Sequence, residues 1–144
     1  MKYNLDILNK YIEDGLLECQ SHPTLPLKIY NYSRDCQFEK KWDEITLAMR
    51  GTVLDNEGNL VAKGMAKFFN VEEVGIDNLP NEDFEVFEKM DGSCIICFHY
   101  NNQWICASRG SFTSSQAVRA NELLLKYPIE KLNKKNTYIF EVIY

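Results

Sequence analysis

Apolar and polar positions fall into short segments, most of them alternating with a period of two. Between residues 4 and 18, Leu5, Leu8, Tyr11, Ile12 and Leu16 recur at helical spacing behind Asn4, a good capping residue. This stretch predicts an amphipathic helix, with Gly15 weakening its last turn. Residues 22–26 contain two prolines and read as an extended connector. Residues 27–32 alternate Leu, Ile and Tyr with polar positions and predict a strand, which Ser33-Arg34-Asp35 turns. Polar residues around Trp42 suggest one helical turn over 39–44. The run 45–55 predicts another strand, returned by the turn chemistry of Asn56-Glu57-Gly58-Asn59 into a strand at 60–62. Residues 77–83 form an acidic loop. Phe84 and Val86 read as a strand before the turn signal Asp91-Gly92, and 94–100 as the next, joined through Asn101-Asn102 to 104–108. A helix capped by Thr113 or Ser114 runs to Tyr127, where Pro128 stops it, and 137–144 is a final strand. The pattern predicts an α+β fold, antiparallel sheets with packed helices, in a single domain over 1–144.

Composition narrows the function. At 144 residues, 45% hydrophobic and 12% aromatic, the chain can bury a sizeable core and is not disordered. A net charge of −5 excludes a general basic coat, so any polynucleotide contact must rest on a local cluster of Lys and Arg. Five cysteines are an odd number. Cys94-x-x-Cys97 lies in a strand pattern, where residues three apart point to opposite faces, which disfavours a metal clip or redox pair. The cysteines read as reduced, mostly buried thiols of an intracellular protein. The N-terminus lacks the apolar run of a signal peptide, and no stretch approaches the roughly 18 apolar residues of a membrane span.

Four charged positions stand out. Lys89, before Asp91-Gly92-Ser93, would sit at the rim of a sheet beside a glycine that admits a ligand close to the backbone. Held there against an apolar wall, a lysine can lose its proton and become a nucleophile, whereas an ordinary hairpin lysine is a solvated charge. Arg50, within the strand predicted over 45–55, requires an acid or phosphate partner, and Asp55, Glu57 or simple exposure accounts for it equally. Lys67-Phe68-Phe69-Asn70 is either core plus surface charge or a stacking platform beside a phosphate-binding cation. Glu141 is a lone acid in an apolar run, costly unless it faces outward, is paired, or meets a metal or ligand hydroxyl.

Taken in order, Arg50-Gly51, Lys67-Phe68-Phe69-Asn70, Lys89-Met90-Asp91-Gly92-Ser93, Ser108-Arg109-Gly110-Ser111 and Phe140-Glu141 form a set. From about Tyr30 onward the chain resembles the ATP-dependent RNA ligases of the T4 RNA ligase 1 type, covalent nucleotidyltransferases related to DNA ligases and mRNA capping enzymes. The resemblance implies that unprotonated Lys89 attacks the α-phosphate of ATP, expels pyrophosphate and carries AMP as a phosphoramidate. The AMP then passes to an RNA 5′-phosphate, and a 3′-hydroxyl displaces it. It implies ATP and Mg²⁺ as cofactors and RNA ends as partners. Arg50, Lys67 and Arg109 would help neutralise the triphosphate, and Gly92 would admit the nucleotide. Phe69, Glu88 and Asp91 would belong to the nucleotide site, with Asp91 orienting the Lys89 loop. Glu141 would lie near the ribose hydroxyls or a metal-bound water. Arg109 stands where the family often has lysine, which keeps the charge and changes its geometry.

The family's later motifs, a Glu-Gly pair and Lys-x-Lys, are not found in these 144 residues, and Lys134-Lys135 precedes Glu141. The chain is therefore expected to be the front portion of an adenylyltransferase domain, partnered by the later part, in the cytoplasm of a bacterial or phage-infected cell. The alternatives are a catalytically incomplete nucleotide- or RNA-end-binding module, another lysine nucleotidyltransferase such as a capping enzyme, and a purely structural domain.

Overall fold

A computed structural model describes residues 1–143, so Tyr144, the end of the strand predicted over 137–144, lies outside the described residues. Two antiparallel sheets stack face to face and carry helices on their outer sides. The first sheet has the order β1 (Leu17–Ser21), β2 (Leu27–Tyr32), β3 (Arg50–Asp55), β4 (Leu60–Lys63). The second has β6 (Gln103–Ser108), β5 (Ser93–Tyr100), β7 (Tyr138–Val142), with β5 in the centre. The α+β class with antiparallel sheets and packed helices, predicted from the pattern, is what the chain forms.

Strand alternation builds the layers. On β2, Leu27 and Ile29 face the second sheet, where they pack with Val53, Ala62, Ile96, Phe98, Ile105, Ala107 and Phe112. Tyr30 and Tyr32 face the other way, against Leu8 of α1 (Leu5–Glu13), Cys36 of α2 (Arg34–Phe38) and Met49, which follows α3 (Glu44–Ala48). On β5, Ile95 and Cys97 face α5 (Ser115–Leu124) and pack with Cys106, Ala120, Leu124 and Val142. The remaining helix, α4 (Val71–Val74), is one turn with no buried residue.

Several local expectations shift. α1 is capped by Asn4, as the sequence suggests, but ends at Glu13 because Gly15 takes a left-handed φ of 73° and reverses the chain. Residues 17 and 18, predicted as the helix's end, instead begin β1, which pairs with β2. The strand predicted over 45–55 divides into α3 and β3. Asp43 accepts from Ile45 N and Thr46 N at 2.9 and 2.8 Å, and Thr46 Oγ1 accepts from Asp43 N at 2.8 Å, so a capping box starts a helix inside an apolar run. Ser33, expected as a turn, caps α2. Phe84 and Val86, predicted as a strand, form none: each is 84% exposed, because an alternating segment needs an adjacent edge to pair with. The Asn101-Asn102 hairpin forms as predicted, with φ of 48° and 62°.

Candidate active site

Where the two sheets diverge, a cleft of about 950 Å³ opens between the end of β2, the start of β3 and one end of the β5–β6 hairpin. Arg50, Lys89, Gly92, Arg109 and Glu141 all line it. Lys67, Phe69, Glu88 and Asp91 do not.

Arg50 opens β3 and is half-buried. Its guanidinium lies 5.3 Å from the centre of the Phe68 ring and reaches the Met65 carbonyl only at 3.4 Å. Asp55 is no partner, since it sits at the far end of β3 and accepts from Glu57 N, Asn59 N and the Asn59 amide. The β3 backbone is pressed to the second sheet at this point. A Cβ on Gly51 would meet Ile96 Cδ1 at 1.9 Å. Arg109 follows β6, donates to the Tyr32 hydroxyl at 3.1 Å and stacks 5.6 Å over the Tyr32 ring. Among the described residues neither arginine is ion-paired with a carboxylate. Arg50 Nε and Asn31 Oδ1, register partners on β3 and β2, are buried without hydrogen-bond partners. The orphaned Arg50 Nε donor and two uncompensated guanidiniums fit an anionic ligand, whereas the Asn31 oxygen is an acceptor that calls for a donor such as a hydroxyl.

Lys89 stands on an irregular, exposed segment at the mouth of the cleft. Its side chain is 79% exposed and Nζ is 3.0 Å from Asp91 Oδ1. No apolar wall encloses it, contrary to the expectation from the strand pattern, because residues 84–90 are not held in a sheet. Both groups of this pair are solvent-exposed, so it fixes the Lys89 side chain only weakly. Glu88 is exposed and does not line the cleft.

Gly92 is needed for packing. A Cβ there would lie 2.1 Å from the Val142 carbonyl oxygen, so the Lys89 loop is threaded against β7 itself. Glu141 faces Cys94 in the β5–β7 register and is exposed at the rim. Burial pushes the Cys94 thiol up, Arg50 and Arg109 pull it down, and Glu141 adds a smaller upward push, so these three charges share one electrostatic field.

Lys67 does not line the cleft. Its backbone N–H donates to the Leu47 carbonyl, and Nζ donates to the Phe68 carbonyl at 2.7 Å, 4.4 Å over the Phe69 ring. Phe69 packs edge-on against Trp42, which packs on Tyr32, so an aromatic column links Lys67 to Arg109. It is therefore Phe68, 54% exposed, that faces the cleft. Asn31 and Gln116 also line it, and neither stood out in the sequence because each sits in an otherwise unexceptional polar position. Among the described residues no group of three or more His, Cys, Asp or Glu is placed to hold a metal ion.

An α+β fold of two antiparallel sheets with several helices is consistent with part of a nucleotidyltransferase-type domain. Residues 48–143 match the RNA ligase family of the T4 RNA ligase 1 type, and the chain belongs to that family. It is also similar to a protein of Autographa californica nuclear polyhedrosis virus named as a bifunctional polynucleotide kinase/RNA ligase. The two are 31% identical over 98 residues, which cover 59% of this chain and 14% of the viral protein. The chain spans a small part of that relative's length. No helix among the described residues is long and apolar enough to cross a membrane.

Proposed function

We propose that the chain is the lysine-bearing part of an ATP-dependent RNA ligase that forms a lysyl-AMP intermediate and seals RNA 5′-phosphate to 3′-hydroxyl ends. The observation that carries this is the convergence of Lys89, Arg50, Arg109 and Glu141 on one cleft. The triphosphate of ATP supplies the negative charge the two arginines lack. Phe68, with Arg50 over its ring, offers a face for the base or ribose. For reaction, Lys89 leaves Asp91, gives up its proton to water at the open mouth of the cleft and presents its lone pair to the α-phosphorus. The N–P bond forms as the bond to pyrophosphate breaks. The RNA 5′-phosphate then takes the AMP from Lys89, and the 3′-hydroxyl expels it. Glu141 alone does not make a Mg²⁺ cage. Mg²⁺ keeps several waters and binds through one or two carboxylates plus phosphates, so it would arrive with ATP and meet Glu141 at the rim.

The later part of the ligase domain completes this site in our reading. β7 is an outer strand, Ile139, Phe140 and Ile143 are 36%, 39% and 55% exposed, and beside it lies an apolar cavity of about 480 Å³ walled by Leu124, Tyr127, Ile129, Leu132 and Phe140. A further strand on β7 would cover these side chains and give residues 84–90 something to pack on.

The test is intact mass after incubation with ATP and Mg²⁺, for this chain and for one extended by the later motifs. A gain of one AMP, mapped to Lys89 and absent in Lys89→Ala, is expected. If the extended protein gains nothing, or Lys89→Ala still gains it, the proposal fails. The exposure of Lys89 favours one other reading, a nucleotide- or RNA-end-binding module without covalent chemistry. Calorimetric ATP binding by the extended protein with no adduct would select it.

A further inference from the structure

We propose that Cys97 and Cys106 are a disulfide-forming pair, a reversible clasp across the β5–β6 hairpin. The register sets these residues directly opposite one another. Asn121 of α5 reveals what kind of pair they are. Its side-chain oxygen accepts from Cys106 N at 3.0 Å, and its amide donates to the Cys106 carbonyl at 3.0 Å. In an antiparallel ladder the N–H and C=O of one residue point to the same side. Those of Cys106 point at Asn121, away from β5, so Cys97 and Cys106 form a non-hydrogen-bonded pair. Such pairs bring Cα atoms to about 4.5 Å, inside the window of roughly 4.4–6.8 Å that a disulfide requires.

Both side chains lie on the face that packs under α5, in one buried cluster. Burial opposes ionisation of both thiols. Access comes from the apolar cavity beside β7, whose wall includes Cys106. The other strand cysteines have no such neighbour, since Cys19 faces Tyr30 and Cys94 faces Glu141. The Cys94-x-x-Cys97 spacing conceals this pair, because it is created by the hairpin register.

A small external disulfide such as cystamine is the oxidant. The Cys106 thiolate attacks one of its sulfurs and expels a cysteamine thiolate, leaving a mixed disulfide. Deprotonated Cys97 then attacks the Cys106 sulfur and expels the second cysteamine. Two protein thiols are oxidised, cystamine is reduced to two thiols, and the two protons end on cysteamine. The bond joins the strand that leaves the Lys89 loop to the strand that enters the Arg109 loop.

The experiment incubates the native chain with cystamine, blocks remaining thiols by alkylation, and reads intact mass and peptide map. The expected result is loss of about 2 Da before alkylation, for two hydrogens removed, with a Cys97–Cys106 cross-linked peptide that a thiol reductant reverses. Cys97→Ala is expected to stop at a cysteamine adduct on Cys106. Absence of the Cys97–Cys106 link in the wild-type chain, or a link through another cysteine, overturns the proposal whatever the variant does.

Discussion

The two sides of the cleft are made differently. The arginine side is continuous with the core: Arg50 opens a strand whose next four residues are buried, and Arg109 rests on Tyr32, itself 4% exposed. The lysine side hangs from residues 79–92, which lack regular structure and leave Phe84, Val86 and Phe87 largely exposed. Electrostatic stabilisation works best from groups fixed before the reaction, whereas a nucleophile that must enter, bond and leave needs freedom. The contrast teaches that the arginine half is shaped by this chain's own core, whereas the lysine half, in our proposal, closes only when the later part of the ligase domain packs on it.

Substituting the two sides tests the contrast most strongly. Gly51→Val adds side-chain atoms where even a Cβ meets the fully buried Ile96, at a φ of 77° that β-branched residues avoid. Overpacking and backbone strain together are expected to cost about 3–5 kcal/mol. Lys89→Ala, at a side chain 79% exposed, is expected to stay within about 0.5 kcal/mol of the parent. Denaturant unfolding midpoints measure both. Equal losses would erase the distinction between a built side and a tethered one.

Binding gives the next largest effects. Arg50→Ala removes a guanidinium with no carboxylate partner among the described residues, so its loss relieves no ion pair and is felt by an anionic ligand. ATP affinity is expected to fall by about 1.5–3 kcal/mol, roughly tenfold or more, when measured by calorimetry. Arg109→Lys keeps the charge and gives up planar stacking on Tyr32, so a smaller loss is expected. An Arg50→Ala chain that binds ATP undiminished would remove the arginine side from the site.

Much of the hairpin architecture was legible, and the reason is periodicity. The strand predicted over 27–32 is β2 residue for residue, and the Asn101-Asn102 turn joins β5 to β6. The run 45–55 was misread because its apolar residues suit either period, and only the Asp43–Thr46 capping box, a side-chain hydrogen-bond pattern, starts the helix. The segment at 84–86 carries strand alternation that cannot be expressed without an edge to pair with. In the site, charged residues were legible as motifs but their directions were not. Lys67 points away from the cleft because its backbone is tied to Leu47 and its ammonium rests on Phe69.

That direction separates two adjacent aromatics. Phe68→Ala is expected to weaken ATP binding by about 1 kcal/mol and to leave stability nearly unchanged, since the ring is 54% exposed on the cleft. Phe69→Ala is expected to do the reverse, costing about 1–2 kcal/mol of stability through lost contact with Trp42 and Lys67. Paired calorimetry and unfolding curves decide, and the opposite pattern would place Phe69 at the nucleotide.

The smallest expected effect concerns how the rigid side is anchored. α3 carries Leu47, whose carbonyl holds Lys67, and it begins at Asp43. Burial acts to raise the Asp43 carboxyl, but hydrogen bonds from Thr46, the Tyr11 hydroxyl and Ile45 outweigh it and hold the group below its usual range. A carboxyl depressed in the folded state contributes stability that is present above its unfolded value, near 3.9, and is lost as pH falls through the lower folded value. The stability curve should therefore drop on the acid side of about pH 4. Asp43→Asn keeps an acceptor oxygen for the cap and cannot titrate, so it is expected to flatten that limb while changing neutral-pH stability by less than about 1 kcal/mol. Asp43→Ala loses the cap as well and is expected to cost about 1 kcal/mol at neutral pH. If both variants lose stability alike at pH 7 and keep the parent's acid limb, the charge of Asp43 does not anchor α3. The arginine side would then owe its order to the apolar packing around Met49 and Tyr32 alone.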